Sequence, residues 1–280
     1  MSDERLIWVC GQEIRVSIRW GTGIPLVLCN GIGASLEVLD PFVEHLPPES
    51  TVVRFDVPGT GGSPNSPFPY RFPYLASVLG RMLEKSGVVG DTSGQSQVDV
   101  LGLSWGGGLA QQFAFQNPRR CRRLILVSTG TGCIMVPGRP SVLVKMMTPR
   151  RFRDHRYAAL VAPELYGGAA RRDPMLIKHV FDRQLMSGTW LGYLNQLLAG
   201  AGWTSLFALP MIRQPTLIIA GSDDPVIPLV NAKIMHKLLP NSTLHVHDGG
   251  HVDLIASAAE QAGVVTTFLA GEQNRQPSSR

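Results

Sequence analysis

Cysteine is scarce and scattered: Cys10, Cys29, Cys121 and Cys133 stand at unrelated spacings. No C-x-x-C pair occurs, which argues against both a zinc site and a disulfide framework. Cys29 and Cys121 lie in or beside apolar runs and read as small buried hydrophobes. No window approaches 18 uninterrupted apolar residues, so no transmembrane segment is expected. The opening Met1-Ser2-Asp3-Glu4-Arg5 is charged and leads into few apolar residues, unlike a secretory signal, so a cytoplasmic location is expected. The glycine-rich stretches 59–63 and 105–108 lack the G-K-[ST] ending and the full G-x-G-x-x-G, which argues against nucleotide binding. No His/Cys/Asp cluster has metal spacing, and neither a metal nor a cofactor is expected. Charged residues are only 17% of the chain against 44% hydrophobic, which excludes global disorder and permits a large core.

What is present is alternation. Apolar runs at residues 6–10 and 14–20 flank Gly11-Gln12 and read as an opening hairpin. Six further runs, at 25–30, 51–55, 98–103, 124–128, 216–220 and 243–247, read as strands. Between them, helical spacing is seen at 36–46, 74–83, 107–116, 230–239 and 252–269. Apolar strands alternating with amphipathic helices predict an α/β fold, a mostly parallel, doubly wound sheet covered on both faces. The rhythm breaks between residues 128 and 216, a stretch too long for a loop. It carries helical patches at 141–147 and 189–198, and is expected to fold as a helical cap. The predicted organisation is a core of residues 1–130 and 214–280 with a cap, or lid, at 131–213. The tail 272–280 is polar.

Charge is uneven. Of the net +5, the predicted cap holds 11 Lys/Arg against 4 Asp/Glu, while the rest holds 15 against 17. A basic cap on a near-neutral body suggests an anionic partner surface. No recognised nucleic-acid motif accompanies it, so nucleic acid is not an expected partner.

Gly102-Leu103-Ser104-Trp105-Gly106 matches G-x-S-x-G, at the end of one apolar run and immediately before a helical stretch. That is the strand–turn–helix setting of a nucleophile elbow. Such a serine needs a base and a group to orient the base, in the chain order Ser, acid, His, each after a later strand. Gly221-Ser222-Asp223-Asp224-Pro225 and Gly249-Gly250-His251 occupy those places. His251 is preferred because His245 and His247 alternate within a strand, while His45, His155, His179 and His236 fall on helical or cap segments. Asp224, directly before the turn-making proline, is preferred to Asp223. Asp248 and Asp253 are too close to His251 in the chain. Oxyanion donors are expected from the backbone N–H of Trp105, next to the nucleophile, and of Ile32, in the loop after the strand at 25–30.

These residues resemble the α/β-hydrolase superfamily over nearly the whole chain. More narrowly, the sequence is similar to intracellular medium-chain-length poly(3-hydroxyalkanoate) depolymerases. The resemblance rests on NGIGASLEVLDPF from Asn30, FDVPGTGGS from Phe55, YRFP from Tyr70 and GLSWGGGLAQQFA from Gly102. In the cap it rests on MVPGRP from Met135, YGGAARRDP from Tyr166 and LAGAGWTS from Leu198, and beyond it on QPTLIIAGSDDPVIPL from Gln214. Departures are confined to the loop at 86–97 and the C-terminal tail. The resemblance implies a carboxylic ester hydrolase, with Ser104, Asp224 and His251 as its triad. It also implies hydrolysis of stored poly(3-hydroxyalkanoate) to 3-hydroxy acids through an acyl-enzyme on Ser104, without cofactor or metal. The implied partner is a cytoplasmic polyester granule, whose anionic coat the basic cap would meet.

Some of Met135, Met146, Met147, Met186, Trp190, Tyr193, Leu194, Trp203 and Phe207 are expected to face the site and line an apolar channel for aliphatic side chains, the others holding the cap to the sheet. Two other readings stand beside this one. A soluble small-ester or lactone hydrolase would use the same triad without polymer activity, and a catalytically silent binding protein would keep only the fold.

Overall fold

The computed structural model describes residues 2–90, 93–147, 150, 154–173 and 188–271. The sheet begins with a hairpin, β1 (Ser2–Val9) and β2 (Gln12–Arg19), antiparallel with Val9 opposite Gln12. Its two-residue turn, Cys10-Gly11, has positive φ at both positions, the type I′ form whose twist matches the strands. β3 (Thr22–Cys29), β4 (Ser50–Phe55), β5 (Val98–Leu103), β6 (Cys121–Val127), β7 (Thr216–Gly221) and β8 (Ser242–His247) follow. The sheet order is β1-β2-β4-β3-β5-β6-β7-β8, with every pair from β4 to β8 parallel.

Two strand boundaries differ from the apolar runs for visible reasons. β3 starts before Pro25, which has no N–H to donate, and the β3–β4 register shifts between Thr22 and Leu26. β6 starts at Cys121 and includes Arg122 and Arg123. Arg122 forks onto the buried carboxylate of Asp99 on β5, and Arg123 caps carbonyls at the end of the last helix.

Parallel strands buried on both faces need apolar residues at successive positions, and both faces are covered. On one face, Val27, Val53, Val100, Leu124 and Ile218 pack beneath α2 (Phe72–Lys85), α3 (Trp105–Gln116) and α8 (Leu229–Leu238). On the other, Leu28, Val52, Leu101, Ile125 and Ile219 pack beneath α1 (Asp40–Glu44), α9 (Asp253–Ala256) and α10 (Ala258–Ala270). The periodicity at 252–269 suggests one helix, but the chain breaks at Ser257, whose φ and ψ are −119° and 43°. The break lets Leu254 and Ile255 reach the same sheet face as Ala258, Ala262, Val265 and Phe268.

Between β6 and β7 lie α4 (Pro140–Met146), α5 (His155–Tyr166), α6 (Gly168–Arg172) and α7 (Trp190–Gly200). Their apolar faces form a third cluster, built on Val142, Ala162, Leu165 and Tyr193, which also takes in Val226 and Val252 of the sheet's loops. The inserted segment therefore packs against the loops at the carboxyl ends of the strands, where open α/β sheets place their ligand crevice. His179, Met186 and the tail 272–280 lie outside the described residues.

Candidate active site

Ser104 ends β5 and begins α3 with φ 53° and ψ −118°, a conformation that L-residues seldom adopt. The flanking glycine is required by close approach. A Cβ on Gly106 would lie 2.2 Å from the Cys29 carbonyl oxygen and 2.4 Å from that of Asn30. The helix can thus start against the end of β3, which brings the loop after β3 beside Ser104. The Ser104 carbonyl accepts from Thr129 Oγ1 at 2.7 Å, which ties the elbow to the end of β6.

His251 stands in the loop after β8 and is buried, with its Nε2 2.9 Å from Ser104 Oγ. Its Nδ1 is 2.8 Å from Asp224 Oδ2. The other oxygen of Asp224 accepts the backbone N–H groups of Val226 and Ile227, both at 2.9 Å, so both carboxylate oxygens are engaged. Neighbouring Asp223 turns outward, pairing with Arg171 and accepting the N–H of Gly168. The fold therefore joins the three residues expected from chain order and separates the two adjacent aspartates. His245 and His247 lie on β8, where burial lowers the pKa of His247, and neither is joined to Ser104. Asp248 accepts from Ser222 and Asp253 from the N–H of Ala169, away from His251.

The loop after β3 is built for rigidity. Asn30 accepts the Gly31 N–H through Oδ1 and donates through Nδ2 to the Ser35 carbonyl. Buried Asp56 accepts the Leu36 N–H and the Gly62 N–H, joining this loop to the one after β4. Among the described residues, neither the Ile32 N–H nor the Trp105 N–H has a protein acceptor, and both residues border the same cavity as Ser104. Asp56 and Thr129 are supports that sequence reasoning passes over, because each acts between loops that follow different strands.

A family model described as the α/β-hydrolase fold matches residues 24–166 and 181–258. The chain belongs to the α/β-hydrolase family. Among its relatives, a poly(3-hydroxyalkanoate) depolymerase of Ectopseudomonas oleovorans is 46% identical over 274 residues, spanning 97% of this chain and 94% of its own. Among solved structures, the enol-lactonase from Burkholderia xenovorans LB400 superposes with a TM-score of 0.80 at 22% identity, over 95% of this chain and all of that one. A thermophilic esterase from Thermogutta terrifontis gives 0.79 at 24% identity, over 96% and 98%. Both likenesses are of fold.

In this hydrolase a cavity of about 350 Å³ opens onto Ser104, within the usual range of small-molecule sites. Met135, Met146, Met147 and Trp203 line it, as expected from the inserted segment's composition. The rest of that set serves elsewhere. Trp190 and Phe207 lie on the surface, Tyr193 is buried within the inserted helices, and Leu194 does not reach the cavity. Phe72, Leu143, Leu197, Val226 and Ile227 complete the apolar wall. Phe72 holds Trp105 and Trp203 together, each ring centroid 4.7 Å from its own. Among the described residues, no helix is long and apolar enough to cross a membrane.

Proposed function

We propose that this protein is a serine esterase that hydrolyses stored poly(3-hydroxyalkanoate) of medium side-chain length to 3-hydroxy acids. The observation that carries the reading is the hydrogen-bonded chain Ser104–His251–Asp224 at the mouth of an apolar cavity. Similarity to the depolymerase over nearly the whole chain supports the substrate class.

In this reading His251 Nε2 takes the Ser104 proton as Oγ attacks the ester carbonyl carbon. Asp224 holds Nδ1–H, fixing the tautomer and stabilising the imidazolium. The N–H groups of Ile32 and Trp105 receive the oxyanion, where one donor typically contributes about 2.7–4 kcal/mol of barrier lowering. Collapse breaks the ester bond, and His251 returns the proton to the departing alkoxide as the shortened chain's hydroxyl. Water, deprotonated by His251, then attacks the acyl carbon and releases the 3-hydroxy acid, restoring Ser104–OH. The aliphatic side chain of the monomer lies against Met146, Met147, Leu143 and Trp203, where unbranched methionines adapt to varied length.

We further read residues 131–213 as the cap. Val144, Met147, Leu160, Phe207 and Met211 are exposed there, beside exposed Arg139, Arg150, Arg156 and Arg213. Apolar surface mixed with positive charge suits a cytoplasmic granule whose polyester core carries an anionic coat. The test is acid release from amorphous medium-chain-length polyester granules by the wild type and by Ser104→Ala. Release of 3-hydroxy acids that disappears in the variant is expected. No release from polymer, with Ser104-dependent turnover of short esters, would move the function to a small-ester hydrolase.

A further inference from the structure

Gln196 is buried on the inserted helix α7, yet it touches both sides of the Ser104 elbow. Its Oε1 accepts the Gly33 N–H at 3.0 Å, and its main-chain carbonyl accepts the indole N–H of Trp105 at 2.8 Å. Its Nε2 is buried with no hydrogen-bond partner among the described residues. A methionine would remove that orphaned Nε2 but leave the buried Gly33 N–H without its acceptor, so what the glutamine supplies is the contact with Gly33.

The contact with Gly33 falls on a sensitive point. Ala34 N–H donates to the Gly31 carbonyl at 3.3 Å, and Gly33 has φ +72°. Residues 31–34 thus form a type II turn with Ile32 and Gly33 at its centre. Types I and II differ by a flip of the central peptide, whose N–H belongs to Gly33. The amide oxygen of Gln196 holds that N–H, and so selects one of two forms of the loop that carries Ile32.

We infer that Gln196 is a positioning residue of the oxyanion site, locking the Gly31–Ala34 turn through Oε1 and the Trp105 ring through its carbonyl. The inference rests on the serine-esterase reading above. It makes the inserted segment part of the oxyanion machinery, since one residue of α7 fixes the surroundings of both donors.

The test compares a transition-state analogue with a ground-state ligand. An alkyl boronic acid adds to Ser104 Oγ to give a tetrahedral, anionic adduct that uses the oxyanion donors, whereas a neutral 1,3-alkanediol of the same chain length brings no negative charge to them. In Gln196→Met we expect the boronate inhibition constant to rise about 10–100-fold, somewhat below the loss of a whole donor. The diol's inhibition constant should stay within about twofold, because its contacts with the apolar cavity are unchanged. Gly33→Ala, which disfavours the positive φ of the same turn, should reproduce the selective loss. The double variant should be no worse than the weaker single one, as expected for residues acting through one element. Equal boronate affinity in wild type and Gln196→Met, parallel weakening of both ligands, or additive losses in the double variant would overturn the inference while leaving the esterase reading intact. Failure of the wild type to form a boronate adduct would overturn both.

Discussion

The backbone of Ser104 offers a direct test of whether this site stores strain. Its φ of 53° and ψ of −118° are close to the first central position of a type II′ turn, which glycine favours. Holding a residue with a Cβ in such a region costs about 1–3 kcal/mol. Ser104→Ala and Ser104→Gly both remove the hydroxyl and its 2.9 Å contact with His251, so that loss cancels between them. Alanine retains the strained Cβ, whereas glycine relieves it but adds about 0.4–1 kcal/mol of backbone entropy to the unfolded chain. Ser104→Gly should therefore be more stable than Ser104→Ala by about 0.5–2 kcal/mol, a rise of a few degrees in Tm for a chain of this size. Equilibrium urea unfolding of the two variants, with equal slopes, measures the difference. Both should lack esterase activity. A Ser104→Gly variant no more stable than Ser104→Ala would refute the claim that the elbow is strained.

Three further outcomes follow from the geometry. Asp224→Asn should lower kcat by about 10³–10⁴-fold by spoiling the His251 tautomer, whereas Asp223→Asn, which faces Arg171, should change it by less than about tenfold. Similar losses in the two would overturn the assignment of the acid. Trp203→Ala should shift the ratio of kcat/KM for long over short acyl esters by about tenfold, and Trp190→Ala, on the surface, should leave it unchanged. Equal shifts would mean that the cavity is not the acyl site. Burial pushes the Asp56 carboxyl up from 3.8 to about 6, against its N–H donors and Arg15. A raised acid pKa means that the folded state holds the proton more tightly, so stability is full below about pH 3.8 and falls as pH rises to about 6. The full loss is about 3 kcal/mol, and the stability difference between wild type and Asp56→Asn, measured by urea unfolding at pH 4 and pH 7, should change by about 2 kcal/mol of it in favour of wild type at pH 4. A difference independent of pH would refute it.

The sheet was legible because strands buried on both faces must read as unbroken apolar runs, and the site was legible because the elbow fixes chain order and strand ends. What could not be read was anything decided by contact between distant segments. Arg122 and Arg123 look like the end of an apolar run until Asp99 and the last helix are seen to receive them. Asp223 stands one position from Asp224, and its own pairing with Arg171 and the Gly168 N–H shows only in the fold. In the insertion, composition identified a set of large apolar residues but not their directions. α7 is covered on more than one side, so its apolar residues divide among the cavity, the inserted core and the surface. Gln196 carries no motif at all. Its significance lies in a pairing with Gly33, 163 residues away.

The insertion holds the histidine side of the site as well. The backbone N–H of His251 donates to the carbonyl of Tyr166, the last residue of α5, at 2.8 Å. Gly168 begins α6 with φ +44°, and a Cβ there would lie 2.0 Å from the nitrogen of Gly250. Two chain segments thus meet backbone to backbone directly before His251. Gly168→Ala must open this contact and displace the backbone directly before His251 relative to α6. A displacement of about 1 Å at a reacting group typically costs about 10²-fold in rate. We expect kcat to fall by about that factor with KM nearly unchanged, since residues 166–168 and 249–251 do not line the cavity. Gly263→Ala, where a Cβ meets nothing within 4 Å, is the control and should keep wild-type kcat. Wild-type kcat in Gly168→Ala would mean that the insertion merely covers the site; the selective loss would mean that the inserted helices hold the histidine in register with the serine.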